Sequence, residues 1–526
     1  MSRFAPLLGA TMVAIVAGVL TATVSAWWLL LAIPFGLVTL VGVYDLLQRR
    51  HSVLRNYPML GHLRFTMEAL RPEVHQYFVE SDTGGRPFAR NARSLVYERA
   101  KEQNQDKSFG TELDVYGAGH EFLAHSMTPV TAPDESHRVS VGGPQCSAPY
   151  AMSLLNVSAL SFGALSGNAI SALNLGARLG GFAHDTGEGG ISRYHLKHGG
   201  DLVWELGSGY FGCRSRDGGF DPHQFGDHAA NPQVVAVSIK LSQGAKPGVG
   251  GIMPAAKVSP EIAQARGVPA YETCVSPPAH SEFSTPVGLL EFVARLRDLS
   301  GGKPTGFKLC VGRESDFLAI CKAMLDTGIR PDFIIVDGSE GGTGAGPLEF
   351  QNHMGMPLTE GLSFVHNALM GVDVRRHIAV GASGKIASGW DVVSRLMQGA
   401  DYTNSGRAMM MALGCIQAQR CHTNTCPVGV TTQDPKRVRA LVVGDKAKRV
   451  QQFQHETVAS AQSLIAAMGA TSPRELRMRD MIRRAPDQSL ARFDSLFARL
   501  GTGELLSQPP QGWEAIWNEA RADRFI

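Results

Sequence analysis

Three cysteines stand close together late in the chain, in the stretch CIQAQRCHTNTCPVG that runs from Cys415 to Gly429. Closely spaced cysteine thiolates in a loop, with a proline after one of them, are typical of iron–sulfur ligation. The next cysteine toward the amino terminus is Cys321, so no fourth thiol is nearby in the sequence. Cys415, Cys421 and Cys426 therefore suit a [3Fe-4S] cluster, which lacks one iron corner.

Two other interpretations of the three thiols stay open. Zinc normally takes four ligands, and His422 could supply the fourth. Because His422 directly follows Cys421, tetrahedral ligation of one ion by both is awkward. The cysteines could also be buried side chains with no metal.

Two glycine-containing loops are candidates for binding a phosphate. GASGKIASG (Gly381–Gly389) and NSGRA (Asn404–Ala408) each follow a strand-like run and each lead into a helix. Barrel enzymes often bind a phosphate with their last two strand–helix loops and a helix amino terminus. The backbone near Gly384, Lys385, Gly406 and Arg407 would hold it, although ordinary turns would also explain each glycine pair.

Charged and polar residues follow several other apolar runs. Lys308 lies inside the run GFKLC, where a cation is costly unless it faces a partner. A fixed ammonium there would stabilise the charge that a flavin gains at N1 and O2 on reduction. Gln243 and Lys246, in QGAKPGVGG, suit a carboxylate, and Glu188 lies among glycines where a backbone can approach a planar ring. A core ion pair remains the alternative for Lys308 and for Asp337, which ends another run.

A further glycine motif is interpreted as a loop. GSGYFG (Gly207–Gly212) matches the dinucleotide-binding spacing, but CRSRDGGFD follows it and is not a helix. The motif therefore lacks the strand–turn–helix context that a nicotinamide site needs.

The elements that position these residues are strand-like runs followed by amphipathic segments. Seven such units occur between about residues 150 and 430, and each carries its polar residues at the carboxyl end. That pattern favours a (β/α)8 TIM barrel over a doubly wound sheet, because barrel enzymes place their sites at that end.

The amino-terminal segment has no charged residue between Arg3 and Asp45. It is long enough to cross a bilayer twice, which predicts a transmembrane helical hairpin over residues 5–24 and 27–47. Basic residues at both ends favour keeping both ends on the cytoplasmic side, and we expect the bulk of the protein to lie there. A cleaved signal ending near Val24-Ser25-Ala26, or a single long tilted helix, are the alternatives.

Composition limits the class of protein. The formal net charge of +3 argues against a general nucleic-acid binder, and the five remaining cysteines show no paired framework, which favours a reducing compartment. The predicted domains are a transmembrane hairpin (1–47), an adaptor segment (48–130), the barrel with its iron–sulfur loop (131–435) and a helical carboxyl-terminal extension (436–526).

Five motifs together resemble a known family. SALSFGALS, TGEGG, KLSQGAKPGVGG, DGSEGGTGA and ALGCIQAQRCHTNTCPVGVTTQDP are similar to the synthase domain of glutamate synthase, and most of all to short, membrane-anchored bacterial members of the FMN-binding glutamate synthase family. The resemblance covers about residues 80–475. It implies an FMN-binding barrel whose cluster, on Cys415, Cys421 and Cys426, feeds electrons to the flavin. The flavin reduces an imine of 2-oxoglutarate and ammonia to L-glutamate.

The resemblance also assigns residues by motif position. Lys308 would contact the N1 side of the flavin. Lys246 and Arg266 would bind the carboxylates of the oxo acid, with Glu188 close to the reacting carbon. The remaining positions line the flavin ring (Ser158, Gln243, Asp337, Gly342, Thr343) or its phosphate (Gly384, Lys385, Gly406, Arg407).

The chain departs from the large glutamate synthases in three ways. It shows neither their glutaminase domain nor their glycine-repeat β-helix, and Ile252 stands where the family has a Gln near the oxo acid. We therefore expect free ammonia, another amine such as methylamine, or a separate glutaminase to supply nitrogen. A ferredoxin, a reductase subunit or a quinol would supply electrons. A membrane electron-transfer subunit without amination chemistry is the alternative from another class.

Overall fold

The computed structural model describes residues 2–103, 106–497 and 499–526. The chain divides into two compact units, Met1–Arg86 and Pro87–Ile526. The first contains the apolar amino-terminal helices, and the second contains the barrel with all the candidate site residues.

The amino-terminal unit confirms the two predicted apolar helices. They span Ala5–Thr23 and Leu29–Leu47, and the 3-10 turn Ala26–Trp28 joins them, with the Ser25 hydroxyl accepting from the Trp27 amide. By length and composition both helices could cross a membrane. A signal sequence would show the same length and composition at the position of the first helix. The unit's other helices are Ser2–Phe4, Ser52–Asn56, Leu60–Val74 and His75–Val79.

A buried carboxylate ends the second apolar helix. Asp45 is fully buried, and its oxygens accept from the Met59 amide at 2.9 Å and lie 2.9 and 3.0 Å from Nε2 of His62. These bonds satisfy a charge that would be costly in an apolar helix. They also fix the start of the helix Leu60–Val74 against the end of the apolar pair.

Eight parallel strands close into a barrel, which confirms the predicted fold class. Neighbouring strands pair in chain order, and the last strand pairs with the first through Thr403 and Leu155. We number the strands β1 (Leu155–Val157), β2 (His184–Asp185), β3 (Leu202–Leu206), β4 (Val234–Lys240), β5 (Thr305–Leu309), β6 (Phe333–Asp337), β7 (Ala379–Ser383) and β8 (Tyr402–Ser405).

One helix follows each strand and packs outside the barrel. In chain order these helices are Gly167–Gly180, Arg193–Leu196, Pro222–Ala229, Pro286–Leu299, Glu314–Thr327, Leu358–Gly371, Gly389–Gln398 and Val443–Ala467. Shorter helices lie in the loops and at the ends: Arg90–Ala100, Ala255–Lys257, Pro260–Arg266, Leu348–His353, Arg375–His377, Arg407–Ala412, Pro435–Val438, Pro473–Glu475, Met478–Asp480, Phe493–Leu496, Glu504–Ser507 and Gln511–Glu519.

The inside of the barrel changes from apolar to charged along the strands. A hairpin of Arg138–Val141 and Tyr150–Ser153 covers the amino-terminal end, where its apolar side chains cluster with those of the strands. Side chains alternate between the two faces of a strand, so the next inward positions are charged. They are Asp185, Glu205, Lys240, Lys308 and Asp337. The charged layer lies at the carboxyl end, where barrel enzymes build their sites.

The carboxyl-terminal extension is not entirely helical. After the long helix Val443–Ala467, strands Met481–Arg484 and Leu490–Arg492 form an antiparallel sheet with Glu121–Leu123. A second small pair joins Ile252–Met253 to Cys274–Val275 beside the site. The extension thus pairs directly with a strand of the predicted adaptor segment.

Substitutions at Gly176 and Gly444 would test how tightly the long helix Val443–Ala467 packs on the barrel. A Cβ at Gly176 would lie 2.8 Å from the carbonyl oxygen of Ala447, whereas a Cβ at Gly444 would meet no atom within 4 Å. We expect Gly176→Ala to lower the free energy of unfolding by about 1–3 kcal/mol through overpacking. Gly444→Ala, also within a helix, should leave it unchanged or raise it by up to about 1 kcal/mol. Denaturant unfolding of both full-length variants checks this, and equal stabilities would contradict the close packing.

Candidate active site

One lysine lies among three carboxylates inside the charged layer. Lys308 on β5 forms an ion pair with Glu205 on β3, and both side chains are almost fully buried. Burial alone would lower the pKa of Lys308, but Glu205, Asp185 and Asp337 raise it above its ordinary value. The lysine therefore stays charged. Its pairing with Glu205 agrees with the alternative interpretation of Lys308 as part of a core ion pair. Such a pair leaves the ammonium fixed at the carboxyl end of the strands.

A second charged group surrounds Glu188, which follows β2. Its Oε1 lies 2.9 Å from Nζ of Lys240, the last residue of β4. Burial would raise the pKa of Glu188, but Lys240, Arg266 and Lys246 together lower it to about 2. Glu188 is therefore a carboxylate held by cations and is not poised to donate a proton.

Glycines make room for this carboxylate. A Cβ at Gly207 would lie 2.7 Å from Oε2 of Glu188, and one at Gly251 would clash with Oε1. Gly207 opens the GSGYFG motif, which forms turns and leads into no helix, as its interpretation as a loop predicts. This motif thus packs against the site as part of its wall.

Two buried cations near Glu188 form no ion pair with a carboxylate among the described residues. Lys246 is 4% exposed, and within the described part of the chain its side chain makes no hydrogen bond or ion pair. Burial, together with Lys240, lowers its pKa. Arg266 is 5% exposed; it stacks 4.9 Å from the Phe211 ring centroid, and its Nε has no partner among the described residues. An anion with two acidic groups would satisfy both cations.

The loops after β4 and β6 are tied to each other. The Gly244 amide donates to Oδ2 of Asp337 at 2.8 Å, and Nε2 of Gln243 lies 3.5 Å from Oγ1 of Thr343. A side chain at Gly244 would strike the backbone of Gly338. The structure therefore brings together three of the positions predicted to line a ring, at the ends of the two strands that flank β5.

The two predicted phosphate loops also meet at this end. Ser158 after β1 lies 3.3 Å from Ser383 of β7, oxygen to oxygen. Gly384 has φ of +153° and Lys385 has φ of +53°, so the chain turns sharply after β7. A positive φ is a backbone conformation in which glycine is favoured over other residues.

Arg407 is held beside these loops. Its Nη2 donates to the Glu340 carbonyl at 2.7 Å, and its guanidinium lies 4.9 Å from the Phe88 ring centroid. A Cβ at Gly342 would lie 2.7 Å from Cδ of Arg407, so this predicted ring position and this predicted phosphate position are in contact. Burial lowers the pKa of Arg407, although Asp337 and Glu340 oppose the shift.

The three late cysteines lie close enough to interact electrostatically. Burial raises the pKa of Cys415 to about 12, and Cys421 and Cys426 add to that shift. The pKa of Cys426 is lowered instead, because hydrogen bonds from Thr431 and from the amides of Val428 and Val430 outweigh its burial. Backbone N–H groups aimed at a sulfur are the surroundings that stabilise a thiolate ligand.

The loop that carries these cysteines is held by Lys257 and Tyr97. Nζ of Lys257 donates to the carbonyls of Ala164, Cys421 and Thr431 at 2.9, 3.2 and 3.1 Å. The Tyr97 hydroxyl donates to the Cys415 carbonyl at 2.7 Å. The thiols are thus positioned from three separate parts of the chain.

No group of three His, Cys, Asp or Glu side chains among the described residues has the arrangement that would hold a single metal ion. In a cluster each thiolate binds a separate iron, so its sulfurs lie farther apart than those around one ion. The lack of such an arrangement therefore concerns sites for one ion, such as zinc. The donor set of three thiols, with backbone amides around Cys426, fits an iron–sulfur cluster.

Sequence reasoning missed several residues of the candidate site. Asp185, Glu205 and Lys240 are inward-facing strand residues, and Lys257 holds the cysteine loop. The signal for Lys240 was present, because it ends the apolar run VVAVSIK just as Asp337 ends DFIIVD. Glu205 lies in LVWEL, which was the one barrel strand not counted among the seven units.

Comparison with known proteins shows the family to which the chain belongs. The family model "Conserved region in glutamate synthase" matches residues 132–471. The chain is 34% identical over 509 residues to the glutamate synthase large subunit-like protein YerD of Bacillus subtilis, covering 89% of this chain and 96% of that protein. It is 31% identical to the archaeal glutamate synthase [NADPH] of Methanocaldococcus jannaschii, covering 62% of this chain and 61% of that protein. A mandelate oxidase structure aligns at 15% identity and a TM-score of 0.40 over 79% of this chain and 95% of that one. The chain therefore belongs to the glutamate synthase family of oxidoreductases.

Proposed function

We propose that the chain is an FMN- and [3Fe-4S]-dependent synthase that reductively aminates 2-oxoglutarate to L-glutamate with ammonia supplied from elsewhere. The observation that carries this proposal is the pair of buried cations near Glu188, Lys246 and Arg266, which form no ion pair with a carboxylate among the described residues. A dicarboxylic oxo acid supplies the two anionic groups that such a pair would bind.

The arrangement around Glu188 supports a role for this residue in orientation. Lys240 pairs with it, and its lowered pKa keeps it ionised through neutral pH. A fixed carboxylate next to two substrate-binding cations would hold a cationic ammonia-derived nitrogen close to the reacting carbon. Correct orientation of reactants can supply much of the rate enhancement.

The residues at the strand ends fit a flavin mononucleotide. Lys308 would face its N1 edge, Gln243, Asp337 and Thr343 would line its ring, and Arg407 with the turn at Gly384 would hold its phosphate. The fit rests on the tied loops after β4 and β6, and on the close approach of Gly342 to Arg407. When bound, the flavin would supply hydride from N5 to the substrate imine.

The cysteine loop would hold the cluster that delivers electrons. Thiolates of Cys415, Cys421 and Cys426 would each bind one iron, and the amides around Cys426 would stabilise the negative charge. A ferredoxin, a reductase subunit or a quinol would reduce it.

Spectroscopy of anaerobically purified protein tests both cofactors. We expect flavin absorption bands, three irons per chain, and an EPR signal of an oxidised three-iron cluster. Cys426→Ser should lose the iron, because it removes a ligand, whereas Cys321→Ala should keep it, because Cys321 is buried in the helix Glu314–Thr327 away from the cluster loop. Colourless protein, zinc in place of iron, or iron retained by Cys426→Ser would contradict the proposal.

The identity of the amine is tested by turnover. Ile252, where the family has Gln, is 46% exposed and pairs with Val275 beside the Lys246 loop. An apolar side chain there suits a methylated amine as well as ammonia. With a chemically reduced donor and 2-oxoglutarate, ammonia should give glutamate, and methylamine giving N-methylglutamate instead would reassign the substrate. Reduction of the flavin without turnover on either amine would favour an electron-transfer subunit.

The two apolar amino-terminal helices support membrane attachment, with the catalytic unit on the cytoplasmic side. We expect the chain to stay in the membrane pellet after alkaline carbonate washing and to keep its amino terminus by mass spectrometry. Release into the supernatant would contradict anchoring. Cleavage after Ala26 would identify the first helix as a signal.

A further inference from the structure

A small cavity lies inside the barrel next to Asp185. It is lined by apolar side chains and by Asn156, Asp185, Tyr402 and Asn404. It has room for about one water molecule, and such sites are hydrated when several polar groups face them. The Tyr402 hydroxyl is fully buried there and has no hydrogen-bond partner among the described residues.

Asp185 is the carboxylate that connects this cavity to the charged layer. Its Oδ1 accepts from the Gly187 amide at 2.9 Å. Glu205 is bonded to Lys308, and Asp337 accepts from the Gly244 amide. Among the described residues Asp185 forms no ion pair, although it is only 3% exposed.

The charged groups that act on Asp185 lie on β3, β5 and β6. Glu205 on β3 and Asp337 on β6 are negative, Lys308 on β5 is positive, and the Tyr402 hydroxyl on β8 is neutral. Burial and Glu205 raise the pKa of Asp185 to about 8, although Lys308 and the Gly187 amide oppose the shift. Asp185 therefore holds a proton at neutral pH, which keeps a third negative charge away from Lys308.

We propose that Asp185 is a redox-linked proton site, which in alkaline solution takes up a proton from the solvent when reduction of the bound flavin places negative charge against Lys308. The inference rests on the proposed flavin next to Lys308. It adds to the reaction a group that balances charge within the barrel.

The electrons and protons balance as follows. A one-electron donor of the ferredoxin class supplies two electrons in succession, and one proton joins the flavin, which leaves the reduced ring with one negative charge. That charge raises the proton affinity of Asp185, because a nearby like charge disfavours the carboxylate. Above about pH 8 the residue is ionised before reduction and protonated after it, so a second proton is taken up.

The reduction potential of the bound flavin as a function of pH tests this. In the wild-type holoprotein we expect the reduction potential to fall more steeply with pH above about pH 8, by about 30 mV more per pH unit. This is the value for one additional proton in a two-electron couple. Asp185→Asn keeps the shape and an acceptor for the Gly187 amide but cannot titrate, so the steepening should vanish. Asp227→Asn, at an exposed position of the helix Pro222–Ala229, should behave as the wild type.

The outcomes separate this inference from the proposed function. Protein without flavin would overturn both. Flavin-containing protein whose wild-type slope stays constant between about pH 7 and pH 10, or whose slope is unchanged by Asp185→Asn, would overturn the proton site alone. The wild-type measurement is decisive even if Asp185→Asn fails to fold.

Discussion

Replacing Lys308 with Met is expected to lower the free energy of unfolding by about 3–5 kcal/mol, because it removes one partner of a buried ion pair. Lys308 is the one cation among the described residues that acts on Asp185, and its loss leaves Glu205 buried and unpaired. Met keeps most of the length and volume of the lysine side chain, so the effect reports charge more than packing. Denaturant unfolding of the flavin-free protein measures it without interference from ligand binding.

A double variant provides the control for this prediction. Lys308→Met combined with Glu205→Gln removes both charges and should recover a large part of the lost stability, since the remaining groups are neutral. If the double variant is as unstable as the sum of the single variants, the two residues do not interact in the way that their ion pair indicates.

Replacing Lys246 with Ala should weaken binding of 2-oxoglutarate at least about 30-fold, which corresponds to about 2 kcal/mol. Lys246 is buried and forms no ion pair among the described residues, so a carboxylate of the ligand would supply the charge that satisfies it. Calorimetric titration of the full chain with 2-oxoglutarate measures the change, and flavin reduction by a chemical donor should be unaffected.

Lys303→Ala is the matched control for Lys246→Ala. Lys303 precedes β5 at the opposite end of the barrel, where its Nζ donates to the carbonyls of Ala229 and Asn231. This variant should bind 2-oxoglutarate as the wild type does. Equal affinity in Lys246→Ala and the wild type would exclude the proposed carboxylate contact, and no binding by the wild type would favour the electron-transfer alternative.

The sequence predicts the barrel well because each strand carries its own local signal. Runs such as DFIIVD and HIAVGAS are apolar and end in turns, and parallel strands buried on both faces need that composition. The run LVWEL was not counted among the seven strand units, and the motif GSGYFG that follows it was interpreted as a loop. The structure shows that this run is β3 and that it carries Glu205, the partner of Lys308.

The site was predicted less completely because its ion pairs join residues far apart in sequence. Lys308 and Glu205 are 103 residues apart, so a periodic pattern carries no information about which carboxylate meets the lysine. The same limit explains the small carboxyl-terminal sheet, where Glu121 pairs with Arg483 across 362 residues. Positions defined by a short motif, such as the cysteines or Gly384, could be identified because their neighbours in space are also neighbours in sequence.

The long helix Val443–Ala467 closes the seam between the first and the last strand. Nε2 of Gln454 donates to Ser153 Oγ and to the Leu155 carbonyl, at 2.9 and 3.2 Å. Gly176 and Gly389, on two different outer helices, both lie against its backbone. During translation, β1 emerges from the ribosome hundreds of residues before this helix. The apolar flank of β1 therefore stays exposed for about 15–60 s at ordinary elongation rates. A nascent chain is therefore expected to need chaperone protection over that interval, and ribosome-bound intermediates that stop before this helix should be sensitive to protease.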